Sequence, residues 1–390
     1  MLLVDALLHE FDVFNVKQLF GIPGDFVLPL FEQLQQRNQL PLYYLSHEPS
    51  AVFAADAAAR ISNNPSVVLL TYGAGALNAV NAVAQAYVEH VPLVVIAGFP
   101  SVAEINSGLQ IHHQAKHIDS QRDIYREITA CQVRLDNPER AGNDIRLAFK
   151  TAKEQNLPVL IEIPRDAVLF NTTVAATYTA PQPDIAAITL AAEHLAEQLN
   201  YAQNPVILAG VDVRRFGAVA ELEALAAKLN IPFVSTLMGR ACFNQQQAQY
   251  QGVFLDKTDT RPAQLLRDAD LILQIGVIKT DSNFAANAEF FPAEKLIELG
   301  QQQLVIGKEN YTDVASKPLL QALLLQPIAP FSALIPKLNQ AQPKAQALSA
   351  TSVVQQLDKQ LSKGSLTVPF ISDIGDCLFA SLHANPSLII

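Results

Sequence analysis

The chain has 390 residues, half of them hydrophobic and 16% charged, which excludes a disordered chain and leaves material for two or three buried cores. A net charge of −10, with no Lys/Arg cluster, argues against a nucleic-acid surface. The cysteines Cys131, Cys242 and Cys377 stand at no metal or redox spacing, and no uncharged apolar run reaches membrane-spanning length. A reduced, cytoplasmic setting without a nucleic-acid or membrane partner is the expectation.

Residues 2–14 place Leu3, Leu7, Phe11 and Phe14 on one helical face. Asp5 and Glu10 interrupt the apolar pattern, so this is an amphipathic helix and not a signal peptide. Strands are predicted at 17–20, 41–45, 66–71, 92–97, 128–135 and 158–163, with helices near 26–38, 49–61, 75–89 and 138–155. Such alternation means an α/β fold, a doubly wound parallel sheet with helices on both faces. The first domain spans 1–166. Residues 167–185 lose periodicity and carry two prolines, so they read as a linker. A central α/β domain follows at 186–328. Its predicted helices lie at 186–200 and 217–229, and its strands at 205–210, 232–236, 270–276 and 303–306. Residues 329–349, rich in Gln, Pro and Ala, read as a second linker. Residues 350–390 offer one β–α pair, too little for a sheet, and read as the truncated beginning of a third domain.

The stretch 45–60, LSHEPSAVFAADAAAR, carries the sharpest signal. Pro49 suits a first helical turn, which places Glu48 at a strand-to-helix junction. Ligands bind at that edge of α/β sheets, although Glu48 taken alone could simply complement the helix dipole. The turn FGIPGDF at 20–26 also joins a strand to a helix, and the plainer reading of Asp25 is a helix cap. TYGAGALN at 71–78 lacks the third glycine of the dinucleotide fingerprint, and the next strand supplies no acid for a ribose. GLQIHHQAKH at 108–117 lies in a long loop. Adjacent histidines in a helix do not share a face, and no carboxylate completes a metal set, so no metal site is expected there. Asp25, Glu48, Thr71 and the pair His112–His113 all fall at strand carboxyl ends of one sheet, and ionisable groups gathered there mark a functional site.

These motifs, together with PVLIEIPRD (158–166), residues 207–240, TDSNF (280–284) and SDIGDCLFAS (372–381), resemble the thiamine-diphosphate-dependent 2-oxo acid decarboxylases. The phenylpyruvate and indolepyruvate decarboxylases are the most similar subgroup, with pyruvate decarboxylase related. The resemblance runs through essentially the whole chain. It implies a pyrimidine-binding domain, a middle α/β domain and the start of a diphosphate-binding domain. Glu48 matches the glutamate that contacts the aminopyrimidine ring nitrogen of the cofactor. The Ala-rich surroundings of Glu48 permit a water-poor position for its carboxyl. Asp25, His112 and His113 match proton-handling residues around the reacting carbon and product. Pro23, Gly24 and Thr71 match the wall around the pyrimidine. Asp281 matches a middle-domain position in a region that is regulatory in some relatives.

The family holds the diphosphate and Mg²⁺ through a Gly-Asp-Gly motif, and this sequence contains none. Gly24-Asp25 and Gly375-Asp376 do not fit it. The Mg²⁺ ligands are therefore expected in a C-terminal region that the chain lacks. In the family, a second subunit completes each active site, in a homodimer or homotetramer. The reaction implied is non-oxidative decarboxylation of a 2-oxo acid to an aldehyde and CO₂. The paired histidines favour it over acetolactate-synthase-like carboligation. The alternatives are a catalytically silent binding or subunit-assembly module, and a dinucleotide-dependent oxidoreductase.

Overall fold

The computed structural model describes residues 1–254, 261–284 and 291–332. The chain divides into two compact units, Met1–Ala180 and Pro181–Ile390. The expected third domain, most of the second linker, Gly375-Asp376 and Cys377 lie outside the described residues. Among the described residues, no helix is long and apolar enough to cross a membrane.

The first unit is built on six strands: β1 (Leu19–Gly21), β2 (Leu42–Tyr44), β3 (Ser66–Leu70), β4 (Leu93–Phe99), β5 (Cys131–Arg134) and β6 (Val159–Pro164). Their order is β2-β1-β3-β4-β6-β5, and every neighbouring pair is parallel. Every residue of β3, β4 and β6 is buried, as continuous apolar runs covered on both faces require. Val67, Leu69, Val94, Ile96 and Ile161 share one core with α1 (Leu3–Val13) and α8 (Pro138–Gln155). Val68, Leu70, Val95 and Ala97 face the other way, into a core with α3 (Glu48–Ser62) and α5 (Val80–Val88). In α3 the small side chains of Ala51, Ala55 and Ala59 are fully packed, so the helix lies close on the sheet.

Two expectations for this unit are corrected. The single helix expected at 75–89 is two helices, α4 (Ala74–Asn78) and α5, which meet at Ala79. The Tyr125 hydroxyl donates to the Ala76 carbonyl at 2.6 Å, the acceptor that an unbroken helix would offer to Val80. The segment 167–178, expected to be linker, is a strap on the first unit. Leu3 N–H bonds to the Phe170 carbonyl and Val4 N–H to that of Val168, so the strap satisfies donors that the uncapped start of α1 leaves open. It also crosses α8 at Gly142, where a Cβ would sit 2.0 Å from the Thr173 carbonyl oxygen. Arg146 of α8 binds both carboxylate oxygens of Glu10 and the Ala176 carbonyl.

The second unit begins with α9 (Ile185–Tyr201) and carries β7 (Pro205–Ala209), β8 (Phe233–Ser235), β9 (Tyr250–Val253), β10 (Leu271–Ile275), β11 (Leu296–Leu299), β12 (Gln303–Ile306) and β13 (Glu309–Thr312). Their order is β13-β12-β11-β10-β7-β8-β9. The sheet is not parallel throughout. β11, β12 and β13 pair antiparallel. Gly307, at φ +59°, opens the two-residue turn between β12 and β13, the position that a hairpin of this length reserves for glycine. Asp281 begins the short helix Asp281–Phe284.

Candidate active site

Four of the strand ends just described come together in order. Going across the sheet, β2 leads to Glu48, β1 to Asp25, β3 to Thr71 and β4 to the loop that carries His112 and His113. The chain reverses its direction of travel across the sheet between β1 and β3, and a doubly wound sheet opens its ligand crevice at such a point.

Asp25 does not cap a helix. The following helix, α2 (Leu28–Arg37), starts three residues later with Val27 at its N-cap and no side-chain cap. The Asp25 carboxylate faces the site instead. Oδ1 accepts from the Thr71 hydroxyl at 3.4 Å, and Oδ2 contacts Nε2 of His112. The His112 ring stacks on Phe26 with centroids 4.8 Å apart, so both its edge and its face are held. His113 lies 4.8 Å from His112, centroid to centroid, and its backbone is left-handed at φ +65°. The premise that adjacent histidines diverge holds for a helix, and this segment is a loop. Asp25, His112 and His113 present ligand-capable atoms within 4.8 Å of one another, so a carboxylate does join the pair. The shared Asp25–His112 contact already engages one atom of each. His117 stands apart, beside Asp123.

Thr71 is the hub of the wall. A Cβ on Gly24 would meet its Cβ at 2.5 Å, and one on Gly75 would meet its Cγ2 at 2.6 Å. Pro23 is exposed at the rim, and Gly24 accepts backbone bonds from Val27 and Leu28. Glu48 opens α3, with Pro49 in the first turn. Its carboxyl is half-buried and not sealed in an apolar pocket. Asn78 donates to Oε2 at 2.6 Å, and Oε1 points past Gly75. A cleft of about 380 Å³ opens beside His112, with Phe26, Leu109 and Ile111 on its walls.

Behind this edge lies a network that the sequence reading missed. Glu162 of β6 is fully buried, and Arg134 of β5 donates to it at 2.9 Å. Burial pushes the Glu162 carboxyl up, against the pull of Arg134 and Gln121. Gln121, in the short helix α7 (Ser120–Tyr125), donates to Glu162 at 2.9 Å and accepts from Gly73 N–H at 2.8 Å. Tyr72 donates to the Ile118 carbonyl, and burial, with Glu162 and Asp119 adding to it, raises its hydroxyl to about 12. The signal in the sequence was Glu162 itself, an acid in an otherwise apolar strand, VLIEIP.

Comparison with known proteins places the chain in a family. Residues 1–123 match the family described as thiamine pyrophosphate enzyme, N-terminal TPP binding domain, and residues 192–324 match thiamine pyrophosphate enzyme, central domain. The chain is 34% identical over 389 residues to an indole-3-pyruvate decarboxylase of Azospirillum brasilense, covering 98% of this chain and 71% of that protein. It is 28% identical over 319 residues to pyruvate decarboxylase isozyme 2 of Saccharomyces cerevisiae, covering 80% and 56%. An alpha-keto-acid decarboxylase of Mycobacterium tuberculosis is 29% identical over 336 residues, covering 82% and 58%. The chain thus spans from 56% to 71% of the length of these relatives. It belongs to the thiamine-diphosphate-dependent 2-oxo acid decarboxylase family.

Proposed function

We propose that the protein decarboxylates an arylpyruvate, of the phenylpyruvate or indolepyruvate type, to an aldehyde and CO₂. The observation that carries this reading is the contact of Asp25 with His112, across 87 residues of sequence, on the same sheet edge as Glu48. An imidazole and a carboxylate joined this way can pass a proton to a carbon and recover it from solvent.

The donor set fits the pyrimidine end of thiamine diphosphate. Glu48 offers Oε1 at the edge where Gly24 and Gly75 carry no side chain, so a flat ring can approach the backbone. When bound, the cofactor supplies the carbon nucleophile and the sink for the electron pair that CO₂ leaves behind. Glu48 holds a proton at the ring nitrogen. Thr71, Gly24 and Pro23 would line the place of the ring. The Asp25–His112 pair, with His113 beside it, would give a proton to the decarboxylated carbon and take one from the hydroxyl as the aldehyde leaves. The aryl group of the substrate lies against Phe26, Leu109 and Ile111 in the adjoining cleft. Mg²⁺ and the diphosphate are held by residues other than these, and a second subunit of a homodimer or homotetramer completes the site. The enzyme works in the cytoplasm.

The test is calorimetric binding of thiamine diphosphate with Mg²⁺ to the purified chain, with arylpyruvate turnover followed in the same sample. Saturable binding with aldehyde release, both lost in Glu48→Gln, is the expected result. Turnover that survives Glu48→Gln overturns the role given to Glu48. Saturable binding without aldehyde release from any arylpyruvate overturns the substrate assignment.

A further inference from the structure

We infer that Gln121 is a positioning residue for the paired histidines and acts on them through Gly73. The inference rests on the proton-handling reading of His112 and His113. It concerns a residue outside that set and outside the pyrimidine wall.

Gln121 is 1% exposed, and both ends of its amide are engaged. Its Oε1 accepts from Gly73 N–H, and its Nε2 donates to Glu162 Oε1. A backbone N–H can only donate, and an ionised carboxylate can only accept, so the amide has one orientation. Glu162 cannot drift, because its other oxygen is held by Arg134. Arg134 in turn binds Asp119 and lies 3.8 Å over the Phe99 ring. The amide therefore fixes Gly73 against a rigid strand.

Gly73 is where that rigidity reaches the histidines. It is buried, its backbone is at φ +67° and ψ −116°, and a Cβ there would sit 2.0 Å from the His113 carbonyl oxygen. No side chain can be interposed, so the turn and the histidine backbone move as one. A second clamp, the Tyr72 hydroxyl on the Ile118 carbonyl, holds the far side of the same loop. Without the Gln121 amide, the Gly73 N–H loses its partner, the turn relaxes, and His113 follows, with His112 next to it.

The experiment reads the ring signals of His112 and His113 by NMR across a pH titration of the purified chain. It needs no cofactor and no turnover, so its failure is separate from failure of the decarboxylase reading. In Gln121→Ala the ring signals of His113 are expected to shift from those of the parent, while His9 of α1 keeps its own and shows that the first unit is folded. Gln121→Glu preserves the shape. While the introduced carboxyl is protonated, it can accept from Gly73 and donate to Glu162, and the histidines should titrate as in the parent. Facing the buried Glu162, the pair of carboxyls keeps one shared proton, so this variant retains both bonds and rescues the parent signals. A lowered melting temperature with unmoved histidine signals in Gln121→Ala would mean a merely structural role and would overturn the inference. Should Gln121→Ala not fold, Gln121→Leu, which keeps the bulk and loses both bonds, decides it. Parent-like histidine signals in that variant overturn the inference as well.

Discussion

Gly73 and His113 are in backbone contact so close that any Cβ on Gly73 would lie 2.0 Å from the His113 carbonyl oxygen. The φ of +67° at Gly73 excludes other residues independently of that contact. Together they join the turn after β3 to the loop after β4.

Gly73→Ala should therefore push the histidine loop outward while leaving the sheet intact. A displacement of roughly 1 Å at a reacting group can cost on the order of a hundredfold in rate. The expected outcome is a loss of that size in kcat, with thiamine diphosphate binding at Glu48 little changed. Steady-state turnover beside calorimetry checks it, and full activity in Gly73→Ala would show that the loop does not need this contact.

The contact between Asp25 and His112 makes a separate prediction. Asp25→Asn keeps the shape and removes the charge, so the imidazole loses its carboxylate partner. Proton transfer of this kind contributes about 10²–10⁴-fold, and kcat should fall within that range. KM for the 2-oxo acid should change far less, because the role proposed for Asp25 is to move a proton and not to anchor the substrate. A fall in kcat/KM carried by KM alone would contradict this role.

The sequence makes the first sheet legible and hides much of what tunes the site. VVLL, VVIAGF and VLIEIP are apolar at successive positions and bounded by turn residues, so the strands are recognised wherever both faces are covered. Thr71 directly follows such a run, whereas Asp25 and Glu48 stand a few residues beyond the short strands β1 and β2 and were singled out by the turn and helix-start residues Pro23, Gly24 and Pro49. Strands β9, β11 and β13 were missed. Tyr250–Val253 and Glu309–Thr312 have little apolar pattern of their own, and their pairing depends on neighbours. The break between α4 and α5 is set by the hydroxyl of Tyr125, 49 residues away from Ala76. The strap at 167–178 has no period because its partners are the end of one helix and the flank of another. Gln121 belongs to the same class: nothing local distinguishes it from any other glutamine.

The strap is anchored by an ion pair with a measurable effect on stability. Glu10 and Arg146 are both nearly buried and joined through both carboxylate oxygens. Removing one partner leaves the other charge uncompensated, at a cost of about 3–5 kcal/mol. Glu10→Gln should lower the unfolding free energy of the first unit by about that amount in urea denaturation. Replacing both residues by apolar side chains of similar volume should cost much less. Equal losses in the single and double variants would place the effect in packing and not in charge.

The last prediction concerns pH and the entrance to the cleft. The short helix α6 (Val102–Ile105) is closed by a capping box, in which Ser101 and Glu104 bond reciprocally. Burial pushes the Glu104 carboxyl up, but the side-chain and backbone bonds from Ser101 and the charge of Arg165 outweigh it and hold Glu104 below its ordinary range. A carboxyl lowered on folding stabilises the native form above its unfolded pKa, and that stabilisation is lost as pH falls through the lowered value. Acidification below the ordinary glutamate range should therefore open the capping box before the sheet is affected. Glu104 also lines the cleft beside His112, so the change falls at the mouth of the proposed substrate site. Hydrogen exchange at residues 101–107, followed from pH 6 downward, should accelerate beyond its intrinsic pH dependence as the box opens. In Glu104→Gln that excess should vanish, because the side chain no longer titrates. The same excess in both proteins would assign the opening to some other group.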